Sequence, residues 1–69
     1  MITAVLVDEG TVEKYKITDT EQPAKNFTAC KTIGRYDELS PVVIQLWNGK
    51  TLLINPSRVI WTLHEEEVK

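Results

Sequence analysis

A chain of 69 residues makes one domain, and a domain that small buries only about 60% of its unfolded surface. Eight basic residues against ten acidic ones leave a net charge of −2, which argues against a duplex nucleic-acid partner, because that requires a clustered basic surface. One cysteine and one histidine rule out an internal disulfide and fall short of the roughly four ligands a structural zinc site needs.

With neither staple available, oligomerisation is the remaining common support for so small a core. No cofactor or metal is expected. The chain opens Met-Ile-Thr, with no basic stretch and no apolar run of signal-peptide or membrane-span length. A lone cysteine suits a reducing compartment. Together these predict a cytoplasmic protein.

Residues 2–7 (ITAVLV) form a short β-branched run closed by Asp8-Glu9-Gly10, which reads as a strand and a turn. Residues 11–18 (TVEKYKIT) alternate, with Tyr15 and Ile17 inward and Val12, Lys14 and Lys16 opposite. This predicts a second strand, antiparallel to the first, with lysines guarding an edge. Residues 19–26 (DTEQPAKN) are a polar loop with Pro23. Residues 27–33 (FTACKTI) regain strand character, and residues 34–41 break it, with room for one helical turn over 36–39.

Residues 42–63 (VVIQLWNGKTLLINPSRVIWTL) carry the clearest signal in the chain. Asn48-Gly49 between apolar runs predicts a hairpin with a two-residue type I′ turn, because both residues accept positive φ. That turn sets Trp47 opposite Lys50, Gln45 opposite Leu52 and Val43 opposite Ile54. One face then carries Val42, Ile44, Leu46, Thr51 and Leu53. The other carries Val43, Gln45, Trp47, Lys50, Leu52 and Ile54. Both faces are largely apolar, so Val43, Leu52 and Ile54 are expected to form an interface with a second copy or a protein partner. Pro56 pushes Asn55 away from helix and predicts a short turn or one 3₁₀ turn. Residues 59–63 (VIWTL) make a last strand, with Val59, Trp61 and Leu63 on one side. A barrel spanning residues 1–64 is followed by an acidic tail, 65–69. No window of 11 or more residues sustains a 3.6 period, so little helix is expected.

Five or six short strands, a polar loop after the second and a Pro-Ser turn before the last resemble a small SH3-like barrel. The resemblance implies an all-β fold of antiparallel strands with a 3₁₀ turn at Ile54-Asn55-Pro56-Ser57-Arg58-Val59. It implies no function, because small barrels host many. The polyproline-binding aromatic pair of that fold is missing from the first strand. Asn48-Gly49-Lys50, Ile54-Asn55-Pro56, Ile60 and Glu65-Glu66 are also similar to the small flagellar-operon proteins of the swarming-motility type, over about a third of the chain.

Cys30 and His64 are the only nucleophile and base, on different predicted strands and without an orienting group. Asp37-Glu38 and Glu65-Glu66-Glu67 read as solvated charge. Trp47 and Trp61, with Arg35, Tyr36 and Arg58 in flanking turns, are the candidate binding residues for a peptide, a nucleotide or a single-stranded base. Lys14, Lys16, Lys25 and Lys31 would form a basic face if the second and third strands are neighbours, but Glu13 and Glu21 dilute it, and the four read as a solvated face. The expected function is therefore non-enzymatic: an interaction or assembly module that self-associates or docks on a protein. The alternatives are a small inhibitory or ligand-sequestering protein of the kind mobile elements encode, and a small RNA-binding or flagellar regulator.

Overall fold

A computed structural model describes residues 2–8, 10, 12–23 and 25–64. The expected acidic tail, 65–69, lies outside the described residues. The chain is all-β, as expected. It runs β1 (Ile2–Asp8), β2 (Val12–Ile17), β3 (Thr28–Cys30), β4 (Thr32–Gly34), β5 (Val42–Gln45), β6 (Thr51–Ile54), a 3₁₀ turn (Pro56–Arg58) and β7 (Val59–His64). A four-stranded sheet in the order β3-β2-β1-β7 packs against a three-stranded sheet in the order β4-β5-β6. Between them lie Val5, Val7, Tyr15, Cys30, Ile33, Val42, Ile44 and Ile54, all buried. Among the described residues, no helix is long and apolar enough to cross a membrane.

The 3₁₀ turn forms where Pro56 predicted it. The Asn55 side chain accepts the Ser57 N–H at 3.1 Å, and Arg58 N–H donates to the Asn55 carbonyl at 2.8 Å. The first two strands pair antiparallel, Val5 opposite Tyr15. Tyr15 is buried and Ile17 packs against the core.

The run read as one strand over 27–33 is two. β3 pairs with β2, and in parallel (Tyr15 opposite Thr28), whereas β4 pairs antiparallel with β5. The chain crosses from one sheet to the other at Lys31, whose N–H donates to the Gln45 carbonyl at 2.7 Å. Strict alternation would set Cys30 and Ile33 on opposite faces. Both are buried, and the break at Lys31 lets both point inward. The ten residues between β2 and β3 give the chain length to return and run alongside β2, so the pair departs from the antiparallel expectation.

The hairpin register also differs from expectation, by one residue. Val42 faces Ile54, Ile44 faces Leu52 and Gln45 faces Thr51. The loop has three residues, Trp47-Asn48-Gly49: Leu46 N–H donates to the Lys50 carbonyl at 2.8 Å, and Gly49 N–H to the Leu46 carbonyl at 3.2 Å. Positive φ falls on Gly49 (+89°) and not on Asn48, which is the pattern of a type I turn closed by a glycine bulge. A slip of one residue turns a strand's side chains to the other face. Here it gathers Val42, Ile44, Leu46, Leu52 and Ile54 on the core side. Val43, Gln45, Thr51 and Leu53 are left outside, so the hairpin is amphipathic rather than apolar on both faces.

Candidate functional site

The outer face of the four-stranded sheet carries the most distinctive chemistry. Val5 and Val7 point into the core, so Ala4 and Leu6, which alternate with them, face the other side of the sheet, where Ala4 is fully covered by its neighbours and Leu6 is half-buried. Across the sheet, Ala4 lies between Lys16 and Leu63, and Leu6 lies between Lys14 and Trp61. Trp61 is there because β7 carries one extra residue at Ile60. Val59 pairs with Val7 and Trp61 with Leu6, so Val59 packs on the core while Trp61 and Leu63 turn outward. The expectation that all three share a side fails at this bulge.

Phe27, just before β3, reaches over the same face. Its ring meets Trp61 edge-on, with centroids 6.2 Å apart and planes at 75°. The Lys14 ammonium stands 5.9 Å from the Phe27 ring centre, within the range of a cation–π attraction. Lys16 is opposite Ala29 of β3. β2 and β3 are neighbours, but Lys14 and Lys16 share a face through alternation on β2 alone, while Lys31 stands over Trp47. Neither Lys14 nor Lys16 is paired with a carboxylate among the described residues.

The five candidate binding residues do not form one surface. Trp47 sits in the hairpin loop with the Lys31 ammonium 5.8 Å from its ring centre. Its indole Nε1 is buried and has no hydrogen-bond partner among the described residues. Clefts of about 240 and 200 Å³ flank it, the first bordered by Lys31, Lys50 and Thr51, the second by Glu21, Thr28 and Ala29. Arg58 donates to the Asp8 carbonyl at 3.3 Å. Arg35 is spent on its own loop, its Nε donating to the Asp37 carbonyl at 2.9 Å and its guanidinium also to the Glu38 carbonyl. Tyr36 and Leu39 stand out from that loop, 91% and 90% exposed. Of the three residues expected at an interface, Ile54 is in the core and Leu52 packs against it. Val43 alone lies outside, beside Leu53, because the register shifted.

The Asp37 carboxylate organises the loop. It accepts the Ser40 hydroxyl at 3.0 Å and the Leu39 N–H at 2.8 Å, and these bonds hold it below the usual aspartate range. A cleft of about 660 Å³ lies behind, bordered by Ile2, Ile33, Arg35, Glu38, Thr62 and His64. The His64 ring nitrogen Nε2 is 3.1 Å from the Thr62 hydroxyl. Cys30 is not part of this cleft. It is buried in the core, where burial pushes its thiol up to about 11. Among the described residues, no group of three or more His, Cys, Asp or Glu side chains is placed to hold a metal ion.

Sequence reasoning passed over Phe27, Leu6 and Leu53. Lys14 and Lys16 were legible as an outward pair, but the ring above them comes from a residue taken as ordinary strand. No family model matches this chain, and neither does any curated protein or solved structure.

Proposed function

We propose that this protein is a non-enzymatic interaction module, SH3-like in type, that self-associates or docks on a protein partner through its open edge. One observation carries this reading. The continuous run 51–63 forms the free edge of both sheets, since β6 and β7 each end their strand order. Its only charge is Arg58. Leu53 and Ile60 are 68% and 52% exposed. Free edges offer unpaired backbone groups, and proteins normally guard them with lysine, proline or very short strands. Here only Pro56 and the bulge at Ile60 interrupt the run. An added strand would gain main-chain hydrogen bonds while burying Leu53 and Ile60.

Size-exclusion chromatography with light scattering tests this. The protein is expected as a dimer or larger at high micromolar concentration, and Leu53→Lys with Ile60→Lys as a monomer. A wild-type monomer that also retains no partner in a pull-down overturns it.

A second reading, a ligand-sequestering protein, draws on Trp47. A buried N–H without an acceptor costs about 1–3 kcal/mol, and a ligand entering between Lys31 and Lys50 could supply the acceptor. Native mass spectrometry of the purified protein separates the two readings. A co-purifying small molecule lost in Trp47→Ala, with assembly unchanged, favours the second.

A further inference from the structure

We infer that the outer face of the four-stranded sheet binds single-stranded nucleic acid, with bases stacking on Trp61 and Phe27 and phosphates held by Lys14 and Lys16. Trp61 is 36% exposed, so part of its ring is open while its edge contact with Phe27 fixes its orientation. Every base has a π-face, and aromatic rings on a sheet accept bases whatever the sequence. Lys14 and Lys16 are two residues apart on β2 and so share a face; Lys14 is 5.9 Å from the Phe27 ring centre, and Lys16 lies one step along, between Ala4 and Ala29. The sheet is three interstrand spacings wide, about 14 Å.

Charge selects this occupant over an apolar protein surface. A protein covering the face would strip water from two ammonium groups that have no carboxylate partner among the described residues, which is costly. A single strand brings phosphates to those positions and releases counterions. Beside β3, a cleft bordered by Thr28, Ala29 and Glu21 leads to Trp47, over whose ring Lys31 stands in a second pairing of cation and ring. Two or three lysines on a chain of net charge −2 are too few for duplex, which offers no exposed π-face in compensation.

Fluorescence anisotropy with labelled oligo(U) and oligo(dT) of about 12 nucleotides, within the usual site sizes, tests the inference on the full chain. Saturable binding is expected at low salt. Two neutralised phosphates give a log–log salt slope of about −1.4, or roughly a sevenfold loss between about 50 and 200 mM salt. Lys14→Gln with Lys16→Gln flattens that slope toward zero, and because both lysines lie at the surface, the fold is retained. Trp61→Ala weakens binding by about 5- to 150-fold, the range for loss of one stacked base. In nitrogen–proton spectra the Trp61 indole signal shifts on titration. No binding at high micromolar protein in low salt overturns the inference. So does binding that the double lysine variant leaves unchanged, or a mononucleotide that competes as well as the strand per mole of base.

Discussion

Cys30 shows how far burial alone sets a side chain's chemistry. A thiol reacts as its thiolate, and a pKa near 11 leaves almost none at neutral pH. A disulfide exchange reagent is therefore expected to label Cys30 at pH 8 only as fast as the protein unfolds, and at once in denaturant. The same shift has a pH signature. The folded thiol holds its proton more tightly than the unfolded one, whose pKa is near 9. Its contribution to stability is complete below pH 9 and is lost as pH rises toward 11. By linkage this amounts to roughly 2 kcal/mol. Urea denaturation at pH 8 and pH 10.5 measures it, with Cys30→Ala as the reference that lacks the term. Asp37 has the opposite sign. Its lowered pKa means that its support for the loop is present above about pH 4 and fades as pH falls further. The Leu39 and Ser40 amides, bonded at Asp37, are expected to lose hydrogen-exchange protection there. In Asp37→Ala, which removes the acceptor of the Leu39 N–H, that amide loses it at every pH.

At the scale of elements, the hairpin tip separates two turn types that the dipeptide Asn-Gly leaves open. A type I′ turn demands positive φ from both residues, but only Gly49 adopts it. Gly49→Ala is therefore expected to cost about 1 kcal/mol or more, because φ of +89° strains any Cβ-bearing residue. Asn48→Ala is expected to cost less, since the Asn48 side chain accepts one hydrogen bond, from the Lys50 N–H at 2.9 Å. Chemical denaturation of the two variants decides between the turns. Strands, turns and the 3₁₀ segment were legible because alternation, Asn-Gly and Asn-Pro act over a few residues. The register was not, because the turn signal cannot count loop residues. Burial settled it by bringing Leu52 and Ile54 round to Val42 and Ile44. The bulge at Ile60 and the break at Lys31 were hidden for the same reason. Each inserts a step that only packing against a second sheet rewards. The platform of Phe27 and Trp61 depends on one of these steps, so the sequence named Trp61 without naming its neighbours.

For the whole molecule, the margin is thin. Stability of about 0.05–0.15 kcal/mol per residue gives roughly 3–10 kcal/mol for a chain this size. Ile44 is fully buried, and Ile44→Ala is expected to remove about 2–5 kcal/mol, enough to leave much of the protein unfolded at 37 °C. If the open edge assembles as proposed, the melting temperature rises with protein concentration, because only the folded state associates. A melting temperature constant over a hundredfold dilution argues for a self-sufficient monomer.

Residues 28–34 serve as a common spine, bonded to β2 on one stretch and to β5 on the next. Neither half of the protein can peel away without dragging this spine from the other. Opening one sheet exposes Cys30 and Ile33 together and forfeits the contacts of both layers. Amides in β1 and β5, which share no hydrogen bond, should therefore exchange through a single event of the same free energy. The seam at Lys31 makes one cooperative body of what would otherwise be two marginal ribbons.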